Sequence, residues 1–265
     1  MRFLNIASGS GGNATYIGTE DTHLLIDSGV SRKRIVDGLH KAGISLSDID
    51  AILVTHEHID HIASLGILER TKEIPVYATE GTIQGILSSR SIGNFNKDVL
   101  HSVKIDSAFR VGDIEILPLK VDHDANDPVC YRMDSASSSC AIVTDLGEAN
   151  EYLFRNLRNL DLLMLESNHD VRMLETGPYP YPLKMRILGK YGHLSNENSG
   201  IFLSRLLHDE IKQILLGHIS KENNTRELAK LAVENEVDAS DTKYRSGDFE
   251  IKTLRQDLPS EVLEV

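Results

Sequence analysis

The chain alternates between short apolar runs and amphipathic segments along most of its length. Residues 24–26, 51–54, 140–143, 162–165 and 213–216 are largely apolar stretches with the length of a buried strand. Between several of them, apolar residues recur at spacings of three and four, which predicts helices. This alternation predicts an α/β (α+β) fold in which two sheets pack together and are covered by helices.

Local signals place the boundaries of several elements. Helices are predicted over residues 32–41, 62–69, 81–87, 195–207 and 225–235, and antiparallel strands over residues 99–102, 109–111 and 114–119, with an edge strand at 249–253. Ser31 and Ser195 are the predicted N-caps of their helices. Pro178-Tyr179-Pro180-Tyr181-Pro182 excludes an ordinary helix or a central strand at that place. No linker or low-complexity tract interrupts the chain, so we expect one domain over residues 1–265.

Composition and charge narrow the classes of protein. Apolar residues make up 40% and charged residues 26% of the chain, which is typical of a globular protein. No apolar run has the length of a membrane span, and the N-terminus lacks the apolar region of a signal peptide, so we expect a cytoplasmic protein without a membrane partner. The net charge of −12 argues against a protein that coats nucleic acid through its overall field. Cys130 and Cys140 form neither a disulfide framework nor a zinc knuckle by themselves.

Six polar residues stand at or just after the ends of apolar strands. They are Asp27, His56, His123, Asp145, Glu166 and His218. Functional groups of α/β folds collect outside the carboxyl ends of their strands, so these side chains predict a single site along a shared rim.

The stretch Thr55-His56-Glu57-His58-Ile59-Asp60-His61 is the densest part of this set, with three imidazoles and two carboxylates in seven residues. His56 and His58 are two residues apart on a loop, so both rings can face one ion, and Asp60 and His61 can serve a second. A closed structural zinc site is less consistent with the sequence, because such sites favour thiolates. The alternative for each more distant position is an ordinary surface or core residue, as a lone strand-end histidine usually is.

Adding His123, Asp145 and His218 to this loop gives seven side chains. These would hold two divalent ions with three protein ligands each, one carboxylate bridging, and a vertex on each ion for water. Histidine and carboxylate ligands suit zinc, manganese or iron.

The loop from Thr55 to His61 resembles the signature loop of the metallo-β-lactamase fold. That resemblance implies a four-layer αββα sandwich over nearly the whole chain. It also implies that Asp27 orients the loop and that His123, Asp145 and His218 are the later ligands.

Other motifs resemble one branch of this superfamily. The order of His123, Tyr131-Arg132, Glu166, Gly192-His193 and Gly217-His218 is similar to the phosphodiesterases that include tRNA 3′-processing endonuclease. Further motifs resemble the bacterial WalJ (YycJ) family, which is associated with 5′→3′ exonuclease activity on DNA: Ser8-Gly9-Ser10, Glu166-Ser167-Asn168-His169-Asp170, Gly192-His193-Leu194-Ser195-Asn196 and Gly217-His218-Ile219-Ser220. The sequence lacks the basic arm with which the tRNA-processing enzymes grip their substrate, which argues against tRNA maturation. It also lacks the segment that forms the extra domain of the β-CASP nucleases.

The resemblance implies a metal-dependent phosphodiesterase, and we expect a 5′→3′ DNA exonuclease. In this hypothesis two ions activate the attacking water, Asp60 holds one ion and accepts the proton, and His193, held by Glu166, protonates the leaving sugar oxygen. The alternative for His193 is a structural role, in which a histidine at the start of a helix makes its hydrogen bonds to the backbone. The alternative function is a small-molecule metallo-hydrolase, a cyclic phosphodiesterase or a lactonase. The sequence does not distinguish DNA from RNA.

Two further groups of residues have two interpretations each. Arg32-Lys33-Arg34 is either a solvated helix face or a phosphate contact, and Tyr179 and Tyr181 either stack on bases or anchor their loop. Asp170 is a predicted helix cap, and His169 has no assigned role.

Overall fold

The computed structural model describes residues 1–265. The strands are β1 (Arg2–Ala7), β2 (Ala14–Gly18), β3 (His23–Ile26), β4 (Ala51–Leu53), β5 (Val76–Thr79), β6 (Leu100–Val103), β7 (Phe109–Val111), β8 (Ile114–Lys120), β9 (Val129–Asp134), β10 (Ser139–Val143), β11 (Leu162–Glu166), β12 (Gln213–Gly217), β13 (Ile251–Thr253) and β14 (Leu263–Glu264). The helices are α1 (Arg32–Lys41), α2 (Ile59–Ile62), α3 (Leu65–Thr71), α4 (Glu80–Ser88), α5 (Glu151–Asn156), α6 (Val171–Thr176), α7 (Tyr181–Leu188), α8 (Asn196–Ser204) and α9 (Arg226–Ala239). None of these helices combines the length and the apolar character that crossing a membrane requires.

The chain divides into two compact units. Unit 1 comprises residues 1–120, 125–138 and 255–265, and unit 2 comprises residues 121–124 and 139–254. A single domain over residues 1–265 depends on how these two units combine, so it stays a prediction.

Unit 1 contains a seven-stranded mixed sheet in the order β14-β1-β2-β3-β4-β5-β6. Strands β1 to β3 pair antiparallel, whereas β3 to β6 pair parallel, so the carboxyl ends of β3 and β4 lie at the same edge. Ile35 and Leu39 of α1 are fully buried in one core with Leu4, Tyr16 and Ile52 of the sheet. Unit 1 also contains the antiparallel meander β7-β8-β9.

Unit 2 contains parallel strands in the order β13-β12-β11-β10, together with α5 to α9. The residues of β10 and β11 are buried throughout, which is why their sequences are continuous apolar runs. Val143 pairs with Leu165, which in turn pairs with Leu216. The carboxyl ends of β10, β11 and β12 therefore lie side by side at one edge.

Several predicted boundaries are confirmed. Helix α1 spans the predicted residues, and the side chains of Ser31, Ser195 and Thr225 accept the capping bonds of α1, α8 and α9. Helix α8 ends at Ser204, three residues before the predicted end.

Three predictions about individual elements are wrong. Strand β6 pairs parallel with β5, because α4 connects the two as a crossover helix. Helix α7 begins inside the proline run, because its first turn makes no use of the N–H that Pro182 lacks. The single helix predicted over residues 62–69 is two helices, α2 and α3, and the N–H of Ser64 between them donates to Ser28.

Candidate active site

Three of the predicted strand-end residues adopt a left-handed backbone conformation. The φ angles are 59° at Asp27, 58° at Asp145 and 52° at His218, just beyond β3, β10 and β12. Such a conformation costs on the order of 1–3 kcal/mol for a residue with a Cβ and is concentrated at functional sites. Aspartate and histidine tolerate it better than most residues do. At each of these three strand ends, the backbone conformation that positions the polar side chain therefore lowers the stability of the fold.

In unit 1, Asp27 fixes the predicted metal loop. Its Oδ1 accepts the N–H of Thr55 at 2.9 Å, and its Oδ2 accepts the Thr55 hydroxyl at 2.9 Å and Nδ1–H of His61 at 2.8 Å. Asp27 and His61 are both buried. One carboxylate thus sets the start of the loop and the orientation of its last imidazole.

The other predicted ligands of unit 1 lie on the same loop. Nε2 of His56 is 3.1 Å from Nδ1 of His58, and the rings of His56 and His61 are centred 4.0 Å apart. Oδ2 of Asp60 is 3.7 Å from Nε2 of His61. His56 is buried, whereas His58 and Asp60 are half-buried. The structure therefore brings these four predicted ligands together.

Two residues outside the predicted set support this loop. The side-chain nitrogen of Asn13 lies 2.9 Å from Nε2 of His61, and the backbone N–H of Asn13 donates to the carbonyl of Asp60. A Cβ on Gly29 would lie 1.5 Å from the same carbonyl oxygen. The sequence marks the stretch around Asn13 only as a Gly-rich turn, because the contacting residues are 48 positions apart.

In unit 2, Glu166 holds two imidazoles with one oxygen. Its Oε1 accepts Nδ1–H of His193 at 2.7 Å and Nδ1–H of His218 at 3.0 Å, and its Oε2 accepts the N–H of Leu146 at 2.8 Å. Glu166 is completely buried, whereas the side chain of His193 retains 22% of its exposure. The His193 ring is thus anchored at Nδ1 inside the protein and accessible from outside. This arrangement fits a histidine that transfers a proton better than it fits the alternative, a histidine whose hydrogen bonds are made to the backbone.

His123 and Asp145 lie close to this pair. Nδ1–H of His123 donates to the Gly192 carbonyl at 3.1 Å. Oδ1 of Asp145 is 3.3 Å from Nδ1 of His218 and 3.8 Å from Nε2 of His123. The structure therefore groups the five predicted site residues of unit 2.

The charges of these groups influence one another. Burial alone would lower the pKa of His193, but attraction and the hydrogen bond from Glu166 outweigh it, so the pKa is raised from its ordinary value. Burial would raise the pKa of Glu166, but His193 and His218 bring it down to about 2. Burial lowers the pKa of His123, which the nearby Asp145 only partly offsets. Glu166 is therefore ionised, and it favours the protonated form of His193.

A buried amide network joins the loops that carry these residues. The hydroxyl of Ser167 donates to Oδ1 of Asn196 at 2.7 Å, and Nδ2 of Asn224 donates to the carbonyls of Ser167 and Asn168 at 3.0 Å. Nδ2 of Asn168 donates to the His218 carbonyl at 3.0 Å. Asn168 and Asn196 stand in motifs that the sequence marks, whereas no local signal marks Asn224 or shows that the three residues meet.

His169 and Asp170 follow Asn168 in the chain. Asp170 caps α6 by accepting the N–H of Met173 at 2.7 Å, which confirms the predicted cap. His169 is buried, its Nδ1 makes no hydrogen bond, and burial lowers its pKa to about 4. His169 is therefore a neutral ring at neutral pH.

The basic residues at the start of α1 are not equivalent. A guanidinium nitrogen of Arg34 donates to the carbonyls of Ile6 and Gln256, so this side chain ties α1 to two other segments of unit 1. Lys33 is exposed to solvent. Arg34 thus has a structural role, and a phosphate contact at Arg32 and Lys33 stays a prediction.

The side chains present fit divalent ions in their chemistry. Imidazole nitrogens and carboxylate oxygens are ligands for zinc and for manganese. The predicted histidine ligands His123 and His218 have Nδ1 bound to a carbonyl or carboxylate, whereas Nε2 of His61 faces the Asn13 amide. Metal-binding histidines are held in this manner, and an ion would then be bound through Nε2.

Comparison with known proteins places the chain among metallo-hydrolases. A family model for the β-lactamase superfamily domain matches residues 22–219. The chain is 35% identical over 263 residues to exodeoxyribonuclease YycJ of Bacillus anthracis, covering 99% of this chain and 98% of that protein. It is 37% identical over 265 residues to exodeoxyribonuclease WalJ of Streptococcus pneumoniae serotype 2, covering 100% of this chain and 98% of that protein.

Solved structures show the same fold. The metallo-β-lactamase fold protein YhfI from Bacillus subtilis matches with a TM-score of 0.70 and 17% identity, covering 98% of this chain and all of that one. Zn²⁺-bound PqqB from Methylobacterium extorquens matches with a TM-score of 0.71 and 15% identity, covering both chains fully. The predicted fold class, with two sheets flanked by helices, is confirmed.

Proposed function

The chain belongs to the metallo-β-lactamase superfamily and, within it, to the family of the exodeoxyribonucleases YycJ and WalJ, and we propose that it degrades DNA from the 5′ end as a metal-dependent exonuclease. The protein is therefore an enzyme of the hydrolase class, and its substrate is a nucleic acid. The direction of digestion and the choice of DNA over RNA belong to the proposal.

The hydrogen bond between Glu166 and His193 is the observation that carries this proposal. A sugar oxygen leaves phosphorus poorly unless it receives a proton as the P–O bond breaks. His193 offers that proton from Nε2, because Glu166 holds Nδ1 and raises the pKa of the ring. A hydrolase that cleaves esters with better leaving groups has less need of such a pair.

The ligands of the ions are part of the proposal. They are the seven side chains predicted from the sequence: His56, His58, Asp60, His61, His123, Asp145 and His218. Divalent ions bound there would supply an activated water and neutralise charge on the phosphate. We propose two ions, zinc or manganese, because the donors are imidazoles and carboxylates.

Each remaining step belongs to a residue of the chain. The oxygen of the attacking water forms a bond to phosphorus while the bond from phosphorus to the sugar oxygen breaks. Asp60 accepts the proton that the water loses, and His193 gives a proton to the departing sugar oxygen. Glu166 stabilises the charged form of His193 before this transfer and holds its orientation throughout.

The test is a digestion of end-labelled DNA. The purified protein is loaded with Zn²⁺ or Mn²⁺ and given linear DNA labelled at either end, RNA of the same sequence, a cyclic phosphodiester and a lactone. The proposal expects early release of labelled mononucleotides from the 5′ end and slow loss of the 3′ label.

Matched variants connect the activity to the site. His218→Ala should abolish digestion, whereas His40→Ala, at an exposed histidine of α1, should leave it unchanged. Turnover of the cyclic phosphodiester or the lactone without degradation of DNA would establish the small-molecule alternative instead.

A further inference from the structure

Helix α7 presents an apolar stripe to solvent. None of its residues is buried, and Tyr181, Met185 and Leu188 are all exposed. Their spacings of four and seven residues place them on one face of the helix. Tyr191 follows three residues after the helix and is also exposed. Single exposed apolar residues are ordinary, but three on one helix face, followed closely by an exposed tyrosine, indicate a binding surface.

The same segment is locally basic. Residues 177–192 contain Lys184, Arg186 and Lys190 and no acidic residue, whereas the whole chain has a net charge of −12. Arg186 pairs with Asp124, and Lys190 lies 3.7 Å from Asp122 and from Glu148. Arg186 and Lys190 nevertheless remain more than half exposed, so they can also contact a ligand.

Helix α7 is directly connected to the proposed acid. The N–H of His193 donates to the carbonyl of Ile187 at 3.0 Å, and a Cβ on Gly192 would lie 2.1 Å from that same oxygen. The turn between the helix and His193 is therefore tight. A chain lying along α7 would reach His193 within a few residues of the helix end.

We propose that the α7 face, formed by Tyr181, Met185 and Leu188 together with Tyr191 of the turn that follows, binds a single-stranded stretch of the DNA substrate beside the bond that is cut. The proposal rests on the proposed function and identifies the form of DNA that the site takes. Bases stack on the two tyrosines, as they do on the aromatic residues of single-strand-binding proteins. Arg186 and Lys190 are next to Met185 and Tyr191 in the chain, and they contact the phosphates in place of their carboxylate partners.

The position of the face favours the DNA substrate over a second copy of the chain, because Leu188 precedes the proposed acid His193 by only five residues. The prolines at positions 178, 180 and 182 restrict the backbone before and at the start of α7, which reduces the entropy lost when a strand is bound.

The experiment compares two variants of both tyrosines with one control variant. Tyr181→Ala with Tyr191→Ala removes the rings, Tyr181→Phe with Tyr191→Phe retains them, and Leu231→Ala changes an exposed apolar residue of α9 in the same unit. The metal-loaded enzymes are assayed for binding to a fluorescein-labelled single-stranded oligonucleotide. They are also assayed for turnover of DNA with a 5′ single-stranded tail and of a nitrophenyl phosphodiester.

The double alanine variant should bind the oligonucleotide about 5- to 100-fold more weakly and show a higher KM on tailed DNA. The phenylalanine variant and Leu231→Ala should behave like the wild type, and turnover of the nitrophenyl ester should be the same for all. Unchanged oligonucleotide affinity in the alanine variant would overturn the proposal, as would a wild type that does not bind the oligonucleotide.

Two further outcomes separate the hypotheses. If the wild type hydrolyses the nitrophenyl ester but not DNA, the proposed function fails, while the binding assay still decides the role of the α7 face. If sedimentation shows a wild-type dimer that the alanine variant dissociates without loss of DNA affinity, the face is an interface between copies, and the proposal is wrong.

Discussion

Nδ1 of His193 lies 2.7 Å from Oε1 of Glu166, and the pair combines a fully buried carboxylate with a partly exposed ring. The carboxylate has a lowered pKa and the imidazole a raised one, so each stabilises the charged form of the other. An acid that must protonate an alkoxide needs this combination of a fixed orientation, a retained proton and access to the substrate.

His193→Ala should reduce hydrolysis of DNA by about 10²- to 10⁴-fold, because the sugar oxygen would leave without a proton. The same variant should hydrolyse a nitrophenyl phosphodiester almost normally, because nitrophenolate is stable without one. The measurement is kcat/KM on both substrates, with His40→Ala as the control at an exposed histidine. Equal losses on the two substrates would show that His193 supports the site in some way other than as an acid.

Asp27→Asn should lower the affinity for the metal ion by about 10- to 100-fold. The amide offers one acceptor oxygen where the carboxylate accepts three bonds from Thr55 and His61, so its NH₂ group would face a donor. Zn²⁺ affinity is measured by competition with a chromogenic chelator, and Asp21→Asn, at an exposed turn, is the control. Unchanged affinity in Asp27→Asn would mean that the loop holds its shape without this carboxylate.

Gly29→Ala should lower the free energy of unfolding by about 3 kcal/mol and weaken metal binding with it. The new methyl group would lie 1.5 Å from the carbonyl oxygen of Asp60, so Asp60 and His61 would have to move. Chemical denaturation and chelator competition report the two effects. Gly247→Ala introduces a methyl group into open space and should change neither quantity.

The parts of the site that the sequence predicted share a local signal. A polar residue at the end of an apolar run, as at Asp27 and Asp145, is visible in the sequence because burial makes the strand apolar and function makes its end polar. Helix caps such as Ser31 are equally local, since the hydroxyl bonds a backbone N–H three residues away. Each of these predictions depends on residues that are close in the chain.

The parts that the sequence did not predict depend on distant segments. Asn13 contacts His61, and Asn224 bonds the backbone of Ser167 and Asn168, over separations of 48 to 57 residues. An asparagine carries no periodicity or charge that would distinguish a buried, fully bonded position from a surface position. The same reason explains the error at β6, since the direction of pairing depends on the crossover rather than on the strand's own residues.

A buried glutamate of α3, away from the predicted ligands in the chain, gives unit 1 a pH-dependent stability. Oε2 of Glu69 accepts the N–H of Ile74 at 3.0 Å, whereas its Oε1 is buried without a hydrogen bond. Burial raises the pKa of this carboxyl from 4.5 to about 7, against the smaller lowering effect of the bond from Ile74. The folded chain therefore keeps the proton over a range of pH in which the unfolded chain releases it.

The contribution of this group to stability should accordingly be complete below about pH 4.5 and be lost as the pH rises to about 7, by about 3 kcal/mol. Glu69→Gln still accepts the bond from Ile74 but cannot ionise, so its unfolding free energy should exceed that of the wild type at pH 8, and the difference should become small near pH 5. Urea titrations with a chelator present remove the contribution of bound ions. Glu20→Gln, at an exposed turn of the same unit, is the control for the loss of one negative charge. A constant difference between Glu69→Gln and the wild type from pH 5 to pH 8 would show that Glu69 ionises equally readily in the folded and unfolded chain.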